Sequence, residues 1–362
     1  SEGLYAGGSY DFLRLAASAA EVTGRRYSSS ETLVTVGARE LSVDEARLLF
    51  GRAFSAGINR LMLHGHAYPY THSDGVRWFP FHPREDSAVS AGPADLSFDL
   101  QPDASIWPEL PALNRMATRL GYALSRGRAE AEVAWLYPEW KVQNFPNFGV
   151  EPGAFESETS KALRAAGLTY TRVSRNALRD AVVSDASLRI GEASFDALVV
   201  SDVLAADPSL LASIQAAADA GIPVVWLGDF PTRADGLVDA SARDAEVATW
   251  VESLESSVDV VREASEVAPA LLSAGVVPSL APPDENGTQL SVARRRVSGG
   301  ELHYVFNESF TERSEQLRVA GAFARLTVLD PDSGEALPSM LDGDVLTLTL
   351  GPAKGVVLYV ER

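Results

Sequence analysis

The sequence has no cysteine. That absence removes disulfides, thiolate metal sites and cysteine nucleophiles, and it leaves the compartment open. Positive charge is scarce: 31 Lys and Arg stand against 49 Asp and Glu, for a net charge of −18. A nucleic acid or an anionic membrane surface would be repelled rather than steered in, so neither is an expected partner. No apolar run approaches the roughly 20 residues that span a bilayer. No signal peptide opens the chain at Ser1-Glu-Gly, an end that reads as processed or trimmed. Nucleotide motifs of the G-x-G-x-x-G and Walker kinds are missing, as is a G-x-S-x-G elbow. Lysine is rare too, and the Ala-, Arg-, Val- and Asp-heavy composition suggests a GC-rich genome.

A length of 362 residues at 46% hydrophobic composition is ample for more than one core, so two or three domains are expected. Over 1–128, helix and strand alternate. Tyr10–Val22 carries a helical apolar face through Phe12, Leu13, Leu15, Ala16, Ala19 and Ala20, with Gly24 as C-cap. Tyr27–Thr35 reads as a strand, and Ser42 with Glu45 has capping-box spacing for the next helix, which Gly57 ends. Ile58–His64 reads as a second strand and, after a long loop, Pro108–Leu124 as a helix. This order is a β/α repeat.

From Ala131 the register resets. Apolar runs at Glu132–Tyr137, Leu168–Val173, Phe195–Ser201 and Gly221–Gly228 alternate with helices at Phe155–Ala166, Asp207–Ala220 and Asp244–Leu254. Such strands imply a parallel sheet covered on both faces, a flavodoxin-like α/β domain over 129–277. Pro278–Pro283 is the best candidate linker. Alternation in Glu301–Asn307, Gln316–Val319, Arg325–Leu329, Val345–Leu350 and Val356–Val360 predicts a β-sandwich over 284–362.

Four of the five histidines, His64, His66, His72 and His82, fall in one stretch directly after the second strand, and aromatics crowd from Tyr68 to Trp107. A long loop aimed by a strand is where function concentrates. Glu31 stands at or just after the end of the first strand, on what would be the rim of a β/α barrel, where catalytic side chains project. A carboxylate there suits glycoside hydrolysis; the alternative is a helix-proximal glutamate in a salt bridge. His64 closes the next strand and should reach the same rim, and His66, two residues on, faces the same side. These histidines suit hydrogen bonds to sugar hydroxyls, with Tyr68, Trp78 and Trp107 as stacking platforms. Their alternatives are satisfaction of the loop's own backbone and, for Trp107 before Pro108, a helix-start staple. A zinc site would need ligand spacings that are not there. Asp74, Glu85, Asp86, Asp95 and Asp99 could ligate calcium but lack EF-hand spacing. Tyr137-Pro-Glu139-Trp140 follows the first strand of the α/β domain and could approach the same cleft.

Four stretches, in order, carry a resemblance. Tyr10-Asp-Phe-Leu-Arg-Leu-Ala-Ala-Ser-Ala-Ala-Glu-Val-Thr-Gly24 through Glu31 resembles the "ASxAHxYGxxxxxxE" segment of the family-106 glycoside hydrolases, the α-L-rhamnosidases, with Glu21 in the usual His position. Phe54-Ser-Ala-Gly-Ile-Asn-Arg-Leu-Met-Leu-His64-Gly65 resembles that family's "AGVNRLVLHG" strand. Ser105-Ile-Trp107-Pro through Gly127 is similar to its following helix, and Ala131-Glu-Val-Ala-Trp-Leu-Tyr-Pro138 to the start of its next domain.

The resemblance implies a (β/α)8 catalytic barrel, inverting hydrolysis of terminal α-L-rhamnosides in plant-type glycans, and often a calcium ion near the site. It implies that Glu31 is a catalytic carboxylate, the base that activates water, and that His64 contacts substrate. A secreted or periplasmic setting goes with that role, the cytoplasm staying open. The β-galactosidase-like barrel enzymes share the domain order, so another exo-glycosidase specificity stays open as well.

A barrel needs eight β/α units, and only about two precede the α/β domain. Two strands cannot close a barrel or cover their own edges, and upstream of Glu31 neither Glu2 nor Asp11 makes a good second carboxylate. The expectation is therefore the C-terminal part of a larger enzyme, inactive alone and partnered by the missing N-terminal part. The competing readings are a non-catalytic carbohydrate-binding or interaction module and a zinc hydrolase.

Overall fold

The computed structural model describes residues 10–33, 40–63, 98, 100, 102, 104–136, 156–184, 187–201, 203–284 and 287–362. It is a mixed α/β fold with parallel and antiparallel sheets.

Helix α1 (Tyr10–Val22) buries Tyr10, Leu13 and Ala17. After the turn at Gly24, strand β1 (Ser29–Thr32) pairs in parallel with β2 (Arg60–Leu63), with α2 (Val43–Ser55) between them. Ser42 and Glu45 cap α2 reciprocally, Ser42 Oγ accepting from the Glu45 N–H at 3.2 Å. Both strands start two residues later than the sequence suggests. Ile58 N–H closes α2 on Ala53 O, and Asn59 is used as a clamp instead of a rung. Its Oδ1 accepts from Ser28 N–H at 3.0 Å, while its Nδ2 donates to Arg26 O at 2.9 Å and Leu124 O at 3.1 Å. A 3-10 turn over Trp107–Glu109 then leads into α3 (Leu110–Leu124). Among the described residues this parallel sheet has two strands, so barrel closure is not seen.

Next come β3 (Arg128–Ala129), β4 (Val133–Leu136), α4 (Glu158–Ala165), β5 (Tyr170–Val173) and α5 (Arg175–Arg179). The strands β6 (Val182–Ser184), β7 (Ser187–Ile190) and β8 (Ala193–Phe195) form a small antiparallel sheet. Then follow β9 (Ala197–Ser201), α6 (Pro208–Asp219), β10 (Val224–Leu227), α7 (Ala240–Leu254), β11 (Asp259–Val261) and α8 (Val267–Ser273). The larger sheet is all parallel in the order β11-β10-β9-β4-β5. Numbered along its own chain that is 2-1-3-4-5, the doubly wound order of flavodoxin. Every residue of β4 and β9 is buried, which is why those strands read as unbroken apolar runs.

The rest is a sandwich of two antiparallel sheets around Leu290, Val305, Leu317, Leu346, Leu358 and Val360. Two features depart from expectation. The Pro-rich stretch is no loose linker: Leu280–Ala281 is a strand on Arg313–Val319, and Ser279 N–H donates to the buried Glu132 Oε1 at 3.1 Å. Proline is tolerated there because the strand is short and lies at the sheet edge. And β3, at the seam expected between the first two domains, extends the six-stranded sandwich sheet by pairing Ala129 with Arg295 and Arg128 with Arg296.

The first unit is wedged between the other two. Leu49, Phe50 and Phe54 of α2 and Leu113 and Leu120 of α3 pack on Tyr304 and Phe306 of the sandwich. Ala53 and Ile58 join Tyr10 and Leu13 against Trp135 and Tyr170 of the α/β sheet.

Candidate functional site

Side chains alternate across a strand. Leu61 packs into the helix-covered cores, so its register partner Ser30, and Thr32 with it, belongs to that face. Glu31 and its partner Met62 therefore share the opposite face, away from α2. Glu31 is exposed and Met62 is 52% exposed. In a closed barrel that face is the interior, and Glu31 sits one residue from the C-terminal end of its strand, where catalytic side chains project.

Leu33, two residues past Glu31, has φ +71° with its side chain fully buried. Leucine pays a steric cost in that left-handed region, of order 1–3 kcal/mol. Such strain persists where packing over-determines it, and it clusters at functional sites.

Trp107 is 41% exposed at the start of the turn leading into α3. The C-terminus of α3 reaches the N-terminal end of β2, where Leu124 O accepts from Asn59. The other candidates, His64, His66, Tyr68 and Trp78, lie outside the described residues. So do Asp74, Glu85, Asp86, Asp95, Asp99 and the Tyr137–Trp140 stretch. The zinc alternative rests on those histidines and so also lies outside the described residues, among which no cluster of three or more His, Asp or Glu could hold a metal ion.

Asp11 is spoken for structurally. It pairs with Arg172 at 2.6 Å and accepts from Ser157 N–H and the Tyr170 hydroxyl, pinning α1 to the α/β unit. Glu21, in the position where the resemblance has a histidine, binds Arg14 at 2.7 Å and the Thr171 hydroxyl at 2.6 Å. Sequence reasoning passed over the strain at Leu33, for which a leucine gives no signal. It also passed over the arginines at the opposite end of β1 and β2, although Arg25-Arg26 and the run Arg294-Arg295-Arg296 could have flagged them.

A β/α unit, a doubly wound sheet and an antiparallel sandwich, with a carboxylate at a strand end, together have the fold of glycoside hydrolases. A β-galactosidase from Bacillus circulans sp. alkalophilus matches 98% of this chain with a TM-score of 0.56 at 12% identity, over 58% of its own length. An exo-carrageenase from Bacteroides ovatus matches 94% of the chain at a TM-score of 0.53 and 14% identity, over 44% of its own length. The particular likeness is to a rhamnosidase from Novosphingobium sp. PP1Y, with a TM-score of 0.72 at 17% identity over 99% of this chain. The chain spans 33% of that rhamnosidase. No family model matches the chain, and no curated protein matches it.

Proposed function

We propose that this chain is the C-terminal part of a glycoside hydrolase that removes terminal α-L-rhamnose from plant-type glycans. Its β1–β2 pair would be the last part of a (β/α)8 barrel, followed by the flavodoxin-like and sandwich domains. The observation that carries the reading is the placement of Glu31. It lies near the C-terminal end of a parallel strand, on the face away from the helices, in a chain whose whole length overlays a rhamnosidase.

In an inverting mechanism Glu31 is the base that takes a proton from the attacking water. The general acid that protonates the departing oxygen, roughly 6.5–9.5 Å away, comes from barrel strands outside this chain. His64, His66, Tyr68, Trp78 and Trp107 hold and stack on the sugar. The resemblance also suggests calcium; the described residues offer no ligand cluster, the loop acids lie outside them, and no step needs the ion.

Two assays test this. The chain alone should not turn over an aryl α-L-rhamnoside, whereas a longer polypeptide carrying the upstream barrel should. In the latter Glu31→Gln should lower kcat by about 10²–10⁴-fold, with KM little changed. Turnover by the chain alone would sink the incomplete-barrel reading, and an undiminished kcat in the variant would remove Glu31 from the chemistry. Hydrolysis of aryl β-galactosides in place of rhamnosides would keep the reaction and change the sugar.

A further inference from the structure

Opposite the Glu31 rim, at the N-terminal ends of β1 and β2, lies a cleft of about 260 Å³ bounded by the ends of α1 and α3, Glu192 and the sandwich residue Arg295. Five arginines and two glutamates line it, in a protein whose net charge is −18. Glu21 is already paired with Arg14 at 2.7 Å. The cations therefore outnumber the carboxylates that could answer them.

Four of the five arginines are held in place, by hydrogen bonds or by a ring. Arg295, 8% exposed, donates through Nε to Arg126 O at 2.6 Å and through Nη2 to Gly127 O at 3.0 Å. Arg26 Nε donates to Ser125 O at 3.2 Å, and Arg128 Nη2 donates to Glu192 O. The guanidinium groups of Arg26 and Arg126 lie 5.0 and 4.0 Å from the ring centroids of Tyr27 and Tyr122. Burial lowers the Arg295 pKa from its ordinary value, with Glu21 opposing that shift. Backbone carbonyls just past α3 and at Glu192 account for some of these N–H groups but not for Arg25 and Arg126, whose side chains donate no hydrogen bond among the described residues. A second observation points the same way. Ser28 lines the cleft at 5% exposure, and its buried hydroxyl has no hydrogen-bond partner among the described residues.

We infer that this cleft binds a small oxyanion, a carboxylate or sulfate, with the guanidinium forks as donors and the Ser28 hydroxyl as a further one. A guanidinium group offers paired N–H donors to two oxygens of a carboxylate or sulfate, and those already held lose little freedom on binding. The volume lies just below the range of about 300–1,000 Å³ for drug-sized ligands, which suits one sugar-acid unit or a free anion. The site is independent of hydrolysis at the rim.

The test is calorimetric titration of the chain with sodium glucuronate, sodium sulfate and glucose at matched ionic strength. Glucuronate should bind saturably and glucose should not. Arg25→Ala with Arg126→Ala, both exposed positions, should weaken binding by roughly tenfold or more with unchanged circular dichroism. Glu31→Gln should leave it untouched. Sulfate binding as tightly as glucuronate, with the same loss in the double variant, supports the site and assigns it to free anions. Absence of saturable binding by either anion up to about 50 mM, or binding indifferent to the double substitution, overturns it.

Discussion

At the scale of single residues, the best-buried carboxylate among the described residues is an organiser rather than a catalyst. Glu132 accepts from Thr169 N–H at 2.9 Å, from Ser279 N–H at 3.1 Å and from Arg294 Nη1 at 3.0 Å. One side chain thereby holds the start of β4, the turn before β5, the Pro-rich strand and the sandwich. Removing the carboxylate leaves the N–H groups of Thr169 and Ser279 without their acceptor and Arg294 with only Glu301 and Glu130 to answer it. Glu132→Ala should therefore cost about 3–5 kcal/mol, read as a shift in the urea midpoint at unchanged slope. A loss under about 1 kcal/mol would mean that water replaces the carboxylate.

At the scale of elements, α2 meets the sandwich through a missing side chain. A Cβ on Gly51 would lie 2.1 Å from Cε2 of Phe306, a ring buried in the shared core. Gly51→Ala raises helix propensity yet should destabilise by about 1–3 kcal/mol through overpacking, measurable as a lowered Tm. A Tm that rises instead would show that the helix and sheet can part by an ångström at no cost. This contact was invisible in the sequence, where a glycine inside a helix signals only weakness. The helix itself was legible, because Ser42 and Glu45 carry the cap and Leu48, Leu49 and Phe54 carry the apolar face. The parallel sheet was legible from its unbroken apolar runs. Hidden were β3, two residues with no periodicity to read, and the strand inside Pro278–Pro283, where proline mimics a linker. Glu31 could be picked out because strand ends are visible in a β/α pattern. The face it shares with Met62 needed the register of β1 on β2.

At the scale of the molecule, acid should act through the middle of the six-stranded sheet. His303 is fully buried, its Nε2 3.4 Å from Glu301 Oε2. Burial holds the imidazole below its ordinary value, with the glutamate opposing, so it stays neutral in the fold. Glu301 is pushed up by burial, but the close approach of His303 and hydrogen bonds from Arg362 and Arg294 outweigh this and hold it far below the carboxylate range. The signs agree. Below about pH 6.5 the unfolded chain takes up a proton on His303 that the native state refuses, so stability falls by up to about 1.4 kcal/mol per pH unit until the native pKa is reached. The Glu301 contribution is present above its ordinary value of 4.5 and is lost as pH falls further. Relative to His303→Gln, the parent should lose stability in urea between pH 7 and 5, a comparison in which the repulsion of the −18 charge cancels. Parallel curves for the two proteins would contradict this account.

Arg47 Nη1 on α2 donates to both carboxylate oxygens of Asp332 in the sandwich, at 2.6 and 2.9 Å, across 285 positions of sequence. On a ribosome adding about 5–20 residues per second, the oily flank of α2 waits roughly 15–60 s for the sheet that will cover it. That flank of α2 is therefore uncovered for most of synthesis, and the seam between helix and sheet closes only after the sandwich strands have emerged.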